Sequence, residues 1–279
     1  MTTLPLTSSA ATSPLTAVDP VGIGSGVSRT RRAVLVAAAA SVGACAYRPP
    51  GGHGTIVGGS STDEGAPASS FADWRPRTFP GKRPTRYRVE ADGGRWVLRA
   101  DARASASMLR RPVQVDPADL GELRFSWRVP APLHAADLRD RDAEDAPVRL
   151  VLAFDGDVSR LTSRDRMLFE LARTLTGEAP PYATLMYVWD HRAEPGTVVS
   201  SNSTGRIRKL VVDGADSPHG PWRHHVRDIA ADFRRAFDEA PGRLVGLGVM
   251  TDTDNTRAEA RAWYGPVTMQ ARDGRPLLP

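Results

Sequence analysis

Near the C-terminal end of this 279-residue sequence, Thr251-Asp252-Thr253-Asp254-Asn255-Thr256 follows an apolar run from Leu244 to Met250. The oxygens of Asp252, Asp254 and Asn255, with backbone carbonyls and Asp155 or Asp190 from neighbouring strand ends, are the hard ligands that calcium takes. The segment lacks the glycine and terminal glutamate of an EF-hand loop, so it also reads as an Asx-rich turn whose short side chains cap their own backbone. No other cofactor is expected. A second constellation combines Tyr187, Trp189 and Asp190 in Tyr187-Val188-Trp189-Asp190-His191-Arg192 with Trp263 and Tyr264 in Trp263-Tyr264-Gly265. An aromatic ring stacks on the apolar face of a sugar while a carboxylate accepts from its hydroxyls, which makes these five residues candidate ligand contacts. The alternative is that the rings belong to the core. Strand alternation puts Tyr187 and Trp189 on one face, so both are core or both are site.

Other chemistries fail on what they need. Residues 252–256 look like the D-x-D-x-T motif of haloacid-dehalogenase-type phosphatases, but that reaction requires a lysine and more acids downstream. Only 23 residues follow Thr256, and none is lysine. His224 and His225 are adjacent and diverge on either a strand or a helix, which argues against shared metal ligation. Zinc-protease, serine-hydrolase and nucleotide-binding signatures do not occur. Carboxylates for glycoside chemistry could come from Asp155, Asp157, Asp190, Asp252 and Asp254, as they could in any β-rich protein. The net charge is +5, yet only Lys82 and Lys209 are lysines and arginine alternates with aspartate along the chain without forming a basic block. Nucleic acid is not an expected partner.

The elements that must position these residues are mostly strands. Leu123, Phe125, Trp127 and Val129 alternate with Arg124, Ser126 and Arg128, one face apolar and the other polar. Val148–Phe154, Ala183–Trp189, Arg206–Val212 and Leu244–Met250 are more continuously apolar and read as central strands. Arg86–Glu90, Arg95–Ala100 and Met108–Val115 read as outer ones. Eight to ten strands with short turns predict an all-β, jelly-roll-type β-sandwich with one or two short covering helices. Thr162 and Asp165 mark the start of one helix with Leu168, Leu171, Ala172 and Leu175 on one stripe. Asp228 caps a second with Ile229, Phe233, Ala236 and Phe237 inward.

Several segments together resemble a bacterial family of exported proteins catalogued as domain of unknown function 3047. They are Leu123 to Val129, Asp145 to Leu150, Leu185 to Trp189, Trp222 to Phe237 and Val249 to Tyr264, in order over about 150 residues. The resemblance implies one all-β domain of jelly-roll type similar to carbohydrate-binding modules, with no established activity and no catalytic residue to carry over.

The N-terminal region is expected to direct export. Thr30-Arg31-Arg32-Ala33-Val34-Leu35, followed by an uncharged apolar stretch to Ala44, resembles a twin-arginine signal and is too short to span a membrane. An ordinary secretory signal is the alternative. Val42-Gly43-Ala44-Cys45 resembles a lipobox that would leave Cys45, the lone cysteine, lipidated; Ala44-Cys45-Ala46 is also an A-x-A cleavage site. Residues 1–46 are thus read as signal, 47–70 as a Gly/Pro/Ser linker and 71–279 as one sandwich domain. The expected function is that of an exported, periplasmic lipoprotein module, non-enzymatic, binding an envelope glycan, polymer or protein partner and touching the membrane only through its lipid anchor. The rival is a polysaccharide lyase or hydrolase on the same scaffold. Replacing Arg31 and Arg32 with lysines is expected to hold the protein in the cytoplasm in a fractionation assay; undiminished export would rule out the twin-arginine route.

Overall fold

The computed structural model describes residues 70–278, so the predicted export signal, with Arg31, Arg32 and Cys45, and nearly all of the linker lie outside the described residues. Fourteen strands form two seven-stranded sheets packed face to face. In chain order they are β1 Arg75–Thr78, β2 Arg86–Asp92, β3 Arg95–Arg103, β4 Ala106–Val115, β5 Glu122–Arg128, β6 Ala146–Phe154, β7 Ala183–Trp189 and β8 Val198–Ser200. There follow β9 Ile207–Asp213, β10 Trp222–Asp228, β11 Leu244–Asp252, β12 Glu259–Tyr264, β13 Thr268–Gln270 and β14 Pro276–Leu278. The front sheet runs β1-β4-β11-β6-β7-β9-β8 and is antiparallel except for the parallel pair β7/β9. The back sheet runs β14-β13-β5-β12-β3-β2, with β10 also paired to β5. No helix among the described residues is long and apolar enough to cross a membrane.

Sequence patterning explains the two layers. In β5, Leu123, Phe125 and Trp127 enter the core between the sheets while Arg124 and Arg128 face out, as alternation predicts. In β6 all nine residues are buried. Val148, Leu150, Leu152 and Phe154 join the main core, whereas Val151 belongs to a second apolar cluster on the opposite face, with Met108, Met186, Val188, Ile207 and Val211. The central strands of the front sheet therefore carry apolar residues on both faces, and they read as continuous apolar runs for that reason.

Two helices cover the sandwich. In α1, Ser163–Thr176, the Thr162 hydroxyl accepts from the Asp165 amide at 3.1 Å, and Gly177 at φ 76° closes the helix in the left-handed region that glycine tolerates. Its inward residues are Asp165, Phe169 and Ala172; of the predicted stripe Ala172 is buried, Leu168 and Leu171 are half-buried, and Leu175 is 62% exposed. Asp165 sets that rotation, because its carboxylate accepts from Thr204 Oγ1 at 2.6 Å and the Gly205 amide at 3.1 Å. In α2, Ile229–Phe237, Asp228 caps the Ala231 amide and Ile229, Phe233 and Ala236 are buried as expected.

Polar ties cross between the sheets. Asp213, fully buried at the end of β9, accepts from Trp127 Nε1 at 2.6 Å and Arg223 Nε at 3.0 Å and lies 2.9 Å from His225 Nε2, all on the back sheet. Burial alone would raise its pKa, but these partners hold it below the usual carboxylate range. His224 points outward from the same strand, so the two histidines diverge as strand geometry requires.

Candidate functional site

The outer face of the front sheet carries an open cleft of about 170 Å³. Met108, Met186, Met250 and Ile207 form an apolar floor, with Phe79 at its edge. Met250 and Met108 are direct cross-strand partners on β11 and β4, and Met108 Sδ lies 3.5 Å from where a side chain on Gly248 would begin. Segment 79–82 supplies Phe79 and Lys82 on one side, Ser201 and Ser203 come from the connection between β8 and β9, and Glu144, Asp252, Asp254 and Asn255 bring charge and amide groups.

The cleft's charges are held in pairs. Arg149, facing outward from the middle of β6, makes a two-point bond to Asp252, Nε to Oδ1 at 2.8 Å and Nη2 to Oδ2 at 2.9 Å, with both side chains almost wholly buried. Its Nη2 also donates to the Glu144 carbonyl at 2.8 Å. Lys209, with no exposed surface, bonds Glu144 at 2.7 Å and the Leu138 carbonyl at 3.3 Å, pinning segment 129–145 over the sheet. Lys82 pairs with Asp254 at the rim. Burial raises the Asp252 carboxyl to about 6, opposed by Arg149 and helped by Asp145 and Asp254. Burial also lowers Lys209, with Glu144 opposing.

The segment after β11 is locked from below. Asp145 accepts from the amides of Asn255 and Thr256, at 3.2 and 2.7 Å, and from Thr256 Oγ1 at 2.6 Å, while Asn255 Nδ2 donates to the Arg141 carbonyl at 2.8 Å. One oxygen from each of Asp145, Asp252 and Asp254 lies within 4.8 Å of the others, a spacing compatible with a cation. These carboxylates already accept from Thr256, Asn255, Arg149, the Ala146 amide and Lys82.

Of the residues singled out from the sequence, Asp252, Asp254 and Asn255 come together at the cleft. Tyr187 and Trp189 do share a face, and it is the core face: Tyr187 donates to Asp232 at 2.8 Å, and Trp189 is 2% exposed. Asp190 is buried beyond Trp189 and accepts from the Arg192 amide at 2.9 Å. Tyr264 is buried and donates to the Met250 carbonyl at 2.6 Å. Trp263 lies on the outer face of the back sheet, its ring 4.1 Å from the Arg128 guanidinium and its Nε1 donating to Glu90 at 2.7 Å. Lys209 and the three methionines were not expected at a site, and Glu144 and Arg149 stood in the sequence only as part of the family resemblance, with no role assigned. A charge inside an otherwise apolar strand, as at Arg149 in β6, is the signal that marks such a residue.

Fold and site together define a two-sheet, jelly-roll-type β-sandwich protein with a charge-paired cleft on one outer face. The chain belongs to the family described as protein of unknown function DUF3047, whose model matches residues 72–268. No curated protein matches the sequence. Among solved structures it is similar to a family 11 carbohydrate-binding module of the cellulosomal cellulase Lic26A-Cel5E of Clostridium thermocellum, at 7% identity over 71% of this chain and 88% of that one, TM-score 0.37. It is also similar to the xyloglucanase domain of NopAA from Sinorhizobium fredii, at 11% identity over 71% and 93%, TM-score 0.36. A third similar structure is Endoglucanase 3 of Trichoderma harzianum, from family GH12, at 10% identity over 71% and 84%, TM-score 0.34.

Replacing Arg149 with methionine removes the cation that opposes the rise at Asp252, leaving the folded-state carboxyl further above its unfolded value near 3.8. The folded state then holds a proton that the unfolded chain has released, so the variant's stability falls as pH rises from about 4 through the folded pKa. Denaturant unfolding should show a loss of about 3–5 kcal/mol at pH 7.5, partly recovered at pH 5. An equal loss at both pH values would assign the cost to packing.

Proposed function

We propose that this protein is exported and that the cleft on its front sheet seats one ring of an envelope glycan, the rest of the chain lying outside. The observation that carries this reading is the cleft's division into a thioether-lined floor and walls of hydroxyl, carboxylate and ammonium groups. A pyranose has the same division between its C–H faces and its hydroxyl edge. Size sets the one-ring limit, since a cavity of about 150 Å³ takes up benzene and this one is about 170 Å³. Lipidation at Cys45 would hold the module at a membrane by its N-terminal tether.

Affinity electrophoresis of the purified protein against peptidoglycan fragments and soluble β-glucan and xylan oligosaccharides tests the site. Ser203→Trp, which fills the cleft from its rim, should weaken retention at least about ten-fold, or 1.4 kcal/mol. Trp96→Ala, on an exposed residue of the back sheet, should not. Retention unchanged by Ser203→Trp would move the site elsewhere.

One observation favours an enzyme on the same scaffold: Asp252, raised to about 6, lies near two other carboxylates, and carboxyl groups about 5 Å apart serve retaining glycosidases. Release of reducing ends or unsaturated products from a retained glycan, lost in Asp252→Asn, would establish it.

We further infer that the acids around Asp252 are balanced from within the protein and not by calcium. The thermal unfolding midpoint should be the same in chelator as in roughly 1 mM calcium, where extracellular calcium modules are occupied. A rise that Asp254→Asn abolishes would place the ion there instead.

A further inference from the structure

The division of the cleft into an apolar floor and polar walls accounts for a sugar ring, but not for what the floor is made of. A flat aromatic face is the natural platform for the C–H face of a pyranose. Phe79 is the one aromatic among the described residues that line the cleft, and it stands at the edge. The tryptophans with exposed surface, Trp96, Trp222 and Trp263, all lie on the back sheet. The floor is built instead from the thioethers of Met108, Met186 and Met250, on β4, β7 and β11. Such side chains are long, unbranched and polarisable, so they close around a small convex group more readily than they support a flat one. One of them is held in place. Arg149 Nη1 donates to Met186 Sδ at 4.0 Å, so the guanidinium that pairs with Asp252 also fixes part of the floor.

Two properties of the walls narrow the choice of group. The first is charge. Lys82, Arg141 and Arg149 line the cleft together with Glu144, Asp252 and Asp254, and the buried Lys209 and Asp145 add one charge of each sign. A ligand therefore meets no net charge, which disfavours both uronic acids and free amino sugars. The second is hydrogen-bonding capacity. Asn255 spends its Nδ2 on the Arg141 carbonyl, which leaves the amide oxygen to accept. The Ser201 hydroxyl accepts from the Ser203 amide at 3.2 Å and keeps its O–H to donate, and Lys82 has N–H donors beyond the one on Asp254.

We propose that the ring seated in the cleft is an acetamido sugar, its acetyl methyl on the thioether floor and its N–H and carbonyl meeting the acceptor and the donors of the walls. This rests on the glycan reading of the cleft and names the class of glycan, a polymer of N-acetylated amino sugars. An acetamido group is neutral and carries one convex methyl, one donor and one acceptor, so it uses the floor and both kinds of wall group at once. A hydroxyl in its place leaves the floor uncovered.

Calorimetric titration of the purified full-length protein compares three trisaccharides of one backbone: triacetylchitotriose, its de-N-acetylated form and cellotriose, which carry acetamido, ammonium and hydroxyl groups at the same position. The acetylated form should bind at least about ten-fold more tightly than either of the others, as one buried methyl and a further hydrogen bond together provide. With isotope-labelled methionine methyl groups, the resonances of Met108, Met186 and Met250 should shift on its addition while that of Met167, 63% exposed on α1, stays in place. Met250→Gln, similar in length but polar, should abolish the preference for the acetylated form, and Met167→Gln should leave every affinity unchanged. Equal affinity for either comparison sugar would overturn the acetamido assignment and leave the glycan reading in place. An unshifted floor with triacetylchitotriose bound, or binding of none of the three, would overturn it too, and the Ser203→Trp retention assay decides the glycan reading separately.

Discussion

The buried pair of Arg149 and Asp252 is the interaction around which the front face is arranged. A guanidinium in the middle of a fully buried strand must meet an opposite charge and have its remaining donors satisfied, or the strand cannot be covered. Asp252 meets it from β11, and the Glu144 carbonyl takes a further donor. That bond fixes the end of segment 129–145, Lys209 fixes its middle through Leu138 and its end through the Glu144 carboxylate, and Asp145 then clasps residues 255 and 256. Part of the sheet's outer face is sealed in this way. The part with the methionines is left open as the cleft.

The same logic of matched charge joins the two sheets. Asp213 on β9 is met by three groups of the back sheet, and Tyr187 reaches Asp232, which Arg227 also holds at 2.5 and 2.8 Å. Apolar packing sets the spacing between sheets but is tolerant of sliding, whereas directional bonds between named atoms are not. The polar groups inside this core therefore specify how one sheet is laid over the other.

Much of the fold was legible in the sequence because alternation and turn chemistry are local. The central strands, both helix caps and the inward stripe of α2 follow directly from residue types, and the two-sheet architecture follows from many short strands. The site was less legible. Alternation says that Tyr187 and Trp189 share a face but not which face meets the other sheet, and the structure turns both inward. The strand Trp222–Asp228 is polar at nearly every position, so only its pairing with β5 reveals it. Asp252, Asp254 and Asn255 stood out as an acidic run. Their partners Arg149, Lys82 and Asp145 lie more than a hundred residues away, and no spacing rule connects them.

The position of β1 has a mechanical consequence. This strand is joined to the front sheet by four residue pairs with β4, and the chain passes directly from it into Phe79 and Lys82 at the cleft's edge. Tension applied upstream of Arg75 is therefore borne first by Phe71 and Trp74, which are seated in the core, and then by that short ladder. Were the ladder then peeled back, Phe79 would leave the edge of the floor and Lys82 would part from Asp254, so a pull on the N-terminal side would open the cleft while the other strands of the front sheet stayed paired.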